Sequence, residues 1–325
     1  MRALVTGGAG FIGSHLTQAL LEDGDSVVAL DDFSSGSQTN IDRFKDDERF
    51  SCVSGSILDA QLVERLVAQS DTVFHLAAMV GVQNVLDHPI ETLETNVLGT
   101  HNVIRSAHAT GNKHTVIASS SEVYGKSKRL PYTEEDDHLP GPTSSSRWGY
   151  ACSKAMDEFL AMGYSQQRNL PVVMLRLFNT VGPRQSGRYG MVMPRFVSQA
   201  LHDEPITVYG DGSQTRCFTS VFDVVHAMIE ITRSPAAQGQ VFNLGSDHEI
   251  SVLGLAELVK RTLGSSSEIV HVPHEQVYGP QFEEPARRVP DISKIQHYIE
   301  YHPNTDLVAI IRQVATAMGS PKRTS

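Results

Sequence analysis

Tyr150-Ala151-Cys152-Ser153-Lys154 sets a phenol and an ammonium four residues apart. On a helix that spacing puts both on one face, so both side chains reach the same cleft. A cation beside a phenol favours the phenolate and lowers its pKa, which makes tyrosine a usable base near neutral pH. The pair discriminates poorly by itself, because a solvated lysine beside a packed tyrosine has the same spacing. A second stretch sharpens it. Ala118-Ser119-Ser120-Ser121-Glu122 directly follows the strand-like run His114-Thr115-Val116-Ile117-Ala118, and the carboxyl ends of strands are where α/β sheets place their ligands. A hydroxyl there would orient a substrate alcohol toward Tyr150.

Groups of this kind need a frame, and the frame begins at Thr6-Gly7-Gly8-Ala9-Gly10-Phe11-Ile12-Gly13. The apolar run Ala3-Leu4-Val5 precedes it and the helical pattern Ser14 to Leu21 follows, so it reads as strand, glycine turn, helix. Gly7 lets the chain turn after the strand, Gly10 lets backbone approach a pyrophosphate, and Gly13 lets the helix pack close to the sheet. The free amides of that helix start, around Phe11 and Ile12, face a phosphate. Ser26 to Leu30 reads as a buried second strand with Asp31 at its end, at the separation expected for a carboxylate that accepts from an adenosine ribose 2′-hydroxyl. Asp31 and Asp32 would repel a 2′-phosphate, which favours NAD over NADP.

The remaining chain alternates strand and helix at βα spacing, as in an α/β, doubly wound parallel (Rossmann) sheet. Strands are expected at 50–54, 72–77, 114–118, 172–175 and 241–244, with helices at 59–69, about 90–109 and about 148–168. Past residue 176 Gly- and Pro-punctuated loops break the rhythm. We expect an NAD-binding domain over 1–175 plus about 218–245, and a smaller interleaved substrate domain over 176–217 plus 246–325. Asp223 reads as a structural carboxylate of the second unit, a candidate helix cap.

Composition narrows the function classes. A chain of 325 residues with 40% hydrophobic content supports a substantial core, and no window approaches the roughly 18 apolar residues of a membrane span. Net charge −10 argues against general nucleic-acid binding. Cys52, Cys152 and Cys217 are too few and too scattered for a disulfide framework, and the histidines lack ligand spacing, so no metal is expected. The chain opens directly on a strand pattern, from which a cytoplasmic location is expected.

As a set, Thr6 to Gly13, His75-Leu76-Ala77-Ala78, Thr95-Asn96-Val97-Leu98-Gly99-Thr100, Ser119 to Gly125 and Tyr150 to Lys154 resemble the extended short-chain dehydrogenase/reductase family. The similarity is to its nucleotide-sugar epimerases, dehydratases and decarboxylases. It implies a catalytic trio of Ser120, Tyr150 and Lys154. It also implies a cofactor site formed by Gly7, Gly10, Phe11, Ile12, Gly13, Asp31, Ile57, Leu76, Ala77, Asn96, Tyr150 and Lys154. Where the family often has Gly-Asp-Ile at the adenine pocket, this chain has Gly55-Ser56-Ile57. The reaction implied is transient oxidation of a sugar: Tyr150 takes the proton of the 4-hydroxyl while the C4 hydride passes to NAD⁺.

Ser121-Glu122-Val123-Tyr124-Gly125 is similar to UDP-glucuronate decarboxylases (UDP-xylose synthases) and also to GDP-mannose dehydratases, and Leu175 to Arg184, Tyr209 to Arg216 and Arg287-Arg288-Val289-Pro290-Asp291-Ile292 look like the first of these groups. Ser145 to Gly149 and Gly187 to Met191 look instead like bacterial epimerase-like members. The resemblance implies a UDP-sugar substrate, with Ser121, Asn179, Arg184, Arg188, Tyr209, Arg216 and Arg288 in its site and Glu122 acting near C5. For Arg184 or Arg188 alone, a surface ion pair is an equal alternative. Another is that Arg288 pairs with Glu283 or Glu284 and Glu122 only braces its loop. Decarboxylation to UDP-xylose and C4 epimerisation both remain open, with 4,6-dehydration or a non-catalytic nucleotide sensor behind them. Leu93, Val97, Ile104, Phe159 and Met162, on the helices that family members pair with a symmetry mate, imply a homodimer.

Overall fold

The computed structural model describes residues 1–187, 190–279 and 285–319. Strands β1 (Arg2–Thr6), β2 (Ser26–Asp31), β3 (Phe50–Ser54), β4 (Thr72–His75), β5 (His114–Ser120), β6 (Val172–Leu177) and β7 (Gln240–Leu244) form one sheet. Its order is β7-β6-β5-β4-β1-β2-β3, and every ladder in it is parallel. Most of these strands are continuous apolar runs because helices cover both faces, so neither face alternates with solvent. From β1 the chain winds outward through β2 and β3, then returns to the other side of β1 with β4. That reversal opens a crevice at the carboxyl ends of β1 and β4.

The main helices are α1 (Phe11–Glu22), α2 (Ala60–Ala68), α3 (Gly99–Ala109), α4 (Arg147–Arg168), α5 (Val192–Leu201), α6 (Val221–Thr232), α7 (Val252–Leu263) and α8 (Leu307–Met318). Leu16 and Leu20 of α1 pack with Val224 and Met228 of α6 on one face of the sheet. Val63 of α2, Val103 and Ile104 of α3 and Ala161 of α4 fill the other. A separate core joins Phe196 of α5, Leu255 of α7 and Ile310 of α8 with Ile206 and Val208. Ile292, Ile295 and Tyr301, whose segment the sequence places with the second unit, lie in the sheet core beside α6.

Three local details add to or change the expectations. The helix foreseen over 90–109 is present as a continuous helical run from Pro89–Leu93 into Gly99–Ala109, with a π-helical turn at Glu94–Leu98 inserted in it. Such wide turns re-aim side chains near functional sites, and here the inserted turn points Asn96 inward. The cap of α6 is Ser220, whose Oγ accepts from Phe222 N, whereas Asp223 accepts from Thr305. Ile104 is fully buried in the sheet core and so is not free for a partner, while Met162 packs against the same core and stays partly exposed. No helix among the described residues is long and apolar enough to cross a membrane.

Candidate active site

The glycine turn is shaped by contacts only glycine tolerates. Gly7 has φ +71°, and a Cβ there would lie 2.9 Å from Ala77 N; a Cβ on Gly13 would lie 2.0 Å from Gly7 O. Helix α1 therefore starts hard against the turn, with Gly10, Phe11, Ile12 and Gly13 lining a crevice of about 560 Å³. Its volume falls in the range of cofactor sites. Asp31, Ile57, Leu76 and Ala77 line the same crevice. Asp31 Oδ2 accepts from Ala9 N at 2.9 Å and Oδ1 from Phe33 N at 2.8 Å, so this carboxylate also ties the glycine turn to the end of β2. Burial pushes its pKa up against those two amides. A glycine cradle, helix amides and a carboxylate at the end of the second strand fit a dinucleotide.

At the far end of this crevice lies the helix that carries the chemistry. A second crevice, of about 290 Å³, meets the first at Ser120, Tyr150, Asn179 and Met191. One face of α4 spans the junction. Arg147 lines only the second crevice, Tyr150 lines both, and Lys154 lines only the first. Positions i, i+3 and i+7 share a helix face, so the order of these groups along α4 is their order across the site.

Ser120 lies beside Tyr150 and favours its ionised form, and Ser120 Oγ accepts from Glu122 N at 3.2 Å. Burial raises the Tyr150 pKa, and Lys154 and Ser120 only partly offset it. The expectation of a net lowering fails for the protein alone because a buried phenolate loses its hydration. Lys154 is also shared: its Nζ donates to Asp157 Oδ2 at 3.2 Å, with both side chains almost fully buried. Asp157 in turn raises the Tyr150 pKa. Behind this pair, His75 bridges the hydroxyls of Thr6, at 2.8 Å, and Thr100, at 3.0 Å. Burial, aided by Lys154, lowers its pKa to about 3, which keeps the imidazole neutral.

Asn96 differs from expectation. It is fully buried and does not line the crevice; its Oδ1 accepts from Met79 N at 2.8 Å and its Nδ2 donates to Ser153 Oγ at 3.2 Å. It thus shapes the crevice wall at Met79 instead of facing a ligand. Arg184 also lies away from both crevices, reaching Ser14 and Gln18 of α1, and burial lowers its pKa to about 10. Arg188, Glu283 and Glu284 fall outside the described residues.

The second crevice is lined by Ser121, Glu122, Asn179, Tyr209, Arg216 and Arg288 among the foreseen residues. Glu122 accepts from Arg288 Nη1 at 2.6 Å and from Arg147 Nη2 at 3.4 Å. Burial alone would raise its pKa, but Arg288 and Arg147 outweigh that and hold it at about 2. Arg216 is pushed down to about 9, first by burial and then by Arg288, so this wall carries more positive charge than its own carboxylate balances. At its other end Arg195 lies 3.7 Å over the Tyr209 ring, and Tyr278 meets Tyr209 edge-on at 5.7 Å. Two aromatic planes and a guanidinium suit a nucleotide base and phosphate. Among the described residues no group of three His, Cys, Asp or Glu side chains is placed to hold a metal ion.

Sequence reasoning missed Arg147, Asp157, Arg195 and Tyr278. Helical spacing from Tyr150 and Lys154 carried the signal for the first two. Arg195 and Tyr278 carried none, since only the packing of the second unit brings them to the crevice.

Comparison with known proteins follows the same lines. Residues 4–314 match the family of GDP-mannose 4,6 dehydratase. The chain is 44% identical to a UDP-N-acetyl-alpha-D-glucosaminuronate decarboxylase of Bacillus cytotoxicus, over 93% of each chain. It is 36% identical to UDP-glucuronic acid decarboxylase 1 of Xenopus tropicalis, over 93% of this chain and 68% of that one. Among solved structures, the UDP-glucuronic acid 4-epimerase of Bacillus cereus, determined with UDP-glucuronic acid and NAD, matches with a TM-score of 0.88. That likeness is at 28% identity and covers 98% of this chain and 99% of the other.

Proposed function

Because the chain belongs to the GDP-mannose 4,6 dehydratase family of extended short-chain dehydrogenase/reductases, we propose that it is an NAD-dependent decarboxylase of a UDP-linked hexuronate. The two candidate substrates are UDP-glucuronate, giving UDP-xylose, and its 2-N-acetylamino counterpart, on which the Bacillus cytotoxicus relative is named to act. The observation that carries this reading is the clasp of Glu122 by Arg288 and Arg147 beside Tyr150, an arrangement that a neutral sugar does not require.

Gly7, Gly10, Gly13 and Asp31 would hold NAD, which supplies the hydride acceptor that returns what it takes within one turnover. Tyr150 takes the 4-hydroxyl proton, with Ser120 fixing the phenol and Lys154 favouring its ionised form. Once C4 is a ketone the C6 carboxylate is β to a carbonyl. The C5–C6 bond breaks, CO₂ departs, and the electron pair passes into a C4 enolate. Arg288 holds the departing carboxylate, and Glu122 positions the ring or a water so that C5 gains a proton. Tyr150 then returns its proton to O4.

The structural likeness to a UDP-glucuronic acid 4-epimerase supports a second reading, in which the 4-keto sugar rotates and is reduced on its other face. Incubation with UDP-glucuronate, UDP-N-acetylglucosaminuronate, UDP-glucose and UDP-N-acetylglucosamine, with products resolved by mass and NMR, separates the two. Release of CO₂ from either acidic sugar supports the decarboxylase; a mass-neutral inversion at C4 replaces it with the epimerase. We further propose a cytoplasmic homodimer. Ile90, Leu93, Leu98, Met156 and Phe159 expose apolar surface on the helices at Pro89–Leu93, Glu94–Leu98 and α4, and the three cysteines are unpaired.

A further inference from the structure

We propose that Gln185 and Thr180 together grip the nicotinamide carboxamide of NAD and so set the angle of its ring against the sugar. The proposal rests on the NAD-linked oxidation at C4 described above, which the decarboxylase and epimerase readings share. Both residues line both crevices, at the junction where Ser120 and Tyr150 also stand. Hydride passes between the sugar C4 beside Tyr150 and the nicotinamide ring, so that ring has to lie at this junction. Its carboxamide then needs hydrogen-bond partners there.

Two buried oxygens at the junction lack a hydrogen-bond partner among the described residues, Thr180 Oγ1 and Gln185 Oε1. Thr180 is only 8% exposed, and the parallel pairing of Thr180–Val181 with Thr219–Ser220 fixes its backbone. The Gln185 side chain folds back so that its Nε2 donates to Thr180 O at 3.0 Å. A carbonyl only accepts, so this bond settles which end of the Gln185 amide is which and leaves Oε1 as the acceptor still to be met. The turn that delivers Gln185 is anchored on α1. Pro183 O accepts from His15 Nε2 at 3.0 Å, and Arg184, held at φ +66°, donates to Ser14 Oγ at 3.3 Å and to Gln18. Arg184, outside both crevices, thus braces the turn that presents Gln185.

The chemistry of this pair selects among ligand groups. A phosphate does not fit, because its oxygens would face Gln185 Oε1 acceptor to acceptor. A primary carboxamide offers what both residues need: its N–H donates to Gln185 Oε1 and its carbonyl accepts from Thr180 Oγ1. Meeting them relieves two buried unsatisfied groups at once. Two contacts also stop the ring from rotating about its bond to the ribose. One face then stays turned to the sugar, for hydride to leave C4 and to return.

The test is calorimetric titration of nucleotide-free, full-length protein with three ligands. They are NAD, 3-acetylpyridine adenine dinucleotide, in which a methyl replaces the carboxamide nitrogen, and ADP-ribose, which lacks the ring. UDP-glucuronate is titrated separately into the NAD-loaded protein. Wild type is expected to bind NAD about 5–50-fold more tightly than the acetylpyridine analogue. Gln185→Met removes the acceptor at similar length. It is expected to weaken NAD by the same factor, to bind the two dinucleotides within about twofold of each other, and to leave ADP-ribose unchanged. Thr180→Val is expected to weaken both dinucleotides alike, since both keep the carbonyl, and again to spare ADP-ribose; it carries the test if thermal melts show that the Gln185 variant does not fold. A Gln185→Met protein that discriminates as wild type does would overturn the proposal, as would a wild type without preference for NAD. Equal loss of ADP-ribose affinity would make the pair a scaffold and overturn it too. So would unchanged NAD affinity with weaker UDP-glucuronate, which would give these groups to the sugar. Failure of the decarboxylase reading has a separate signature, a protein that releases no CO₂ and keeps these NAD ratios.

Discussion

Glu122 and Arg288, 166 residues apart in the chain, meet at 2.6 Å in the wall of the sugar crevice. Glu122 comes from the 3₁₀ turn that ends β5, and Arg288 from the strand-free segment that runs beside Tyr132. Glu283 and Glu284, the alternative partners of Arg288, fall outside the described residues, and the clasp with Glu122 has a consequence in acid. The Glu122 carboxyl is held at about 2, below its unfolded value of about 4.3. Its contribution to stability is therefore complete above about pH 4.3 and disappears as pH falls through about 2. Glu122→Gln should be less stable than wild type at pH 7, and urea midpoints measured across pH should show that gap closing in this window. A constant gap would contradict the pairing.

Tyr150→Phe removes the base and should lower kcat by about 10²–10⁴-fold, with the Kd of the sugar nucleotide little changed. Asp157 acts on the same phenol through Lys154. Asp157→Asn leaves Lys154 without its buried partner and should cost about 3–5 kcal/mol of stability. It also removes a charge that raises the Tyr150 pKa, so the acidic limb of the kcat profile should move to lower pH. A uniform loss of rate with an unmoved limb would make Asp157 a structural partner only.

Asp31→Ala should weaken NAD binding by about 1–3 kcal/mol, the cost of an unmet polar partner. The same change frees Ala9 N and Phe33 N, so a lower melting temperature should accompany it. Fluorescence titration of NAD into the variant checks the first; undiminished affinity would reject a ribose contact at Asp31.

For the proposed homodimer, Phe159 is the most exposed large apolar side chain of α4, at 68%. Phe159→Glu should give monomers by sedimentation at micromolar concentration, with the fold intact by circular dichroism. A wild type that is monomeric under the same conditions would remove the dimer from the reading.

What the sequence determined by itself is the local order: the glycine turn before α1, Asp31 at the end of β2, and the spacing that puts Tyr150 and Lys154 on one face of α4. Each is a matter of backbone geometry within a few residues, or of one βαβ unit, so periodicity and composition carry it. Helical spacing would also have yielded Arg147 and Asp157, had it been read outward from Tyr150 and Lys154. What only the tertiary structure decided is who neighbours whom. The π-helical turn within the 90–109 helix that turns Asn96 inward, Arg184 on α1 away from the crevices, the return of Ile292 and Ile295 to the sheet core, and Glu122 between Arg147 and Arg288 all depend on contacts between distant segments. The raised pKa of Tyr150 belongs with them. A neighbouring lysine is visible four residues away, but the burial that outweighs it is created by the whole fold.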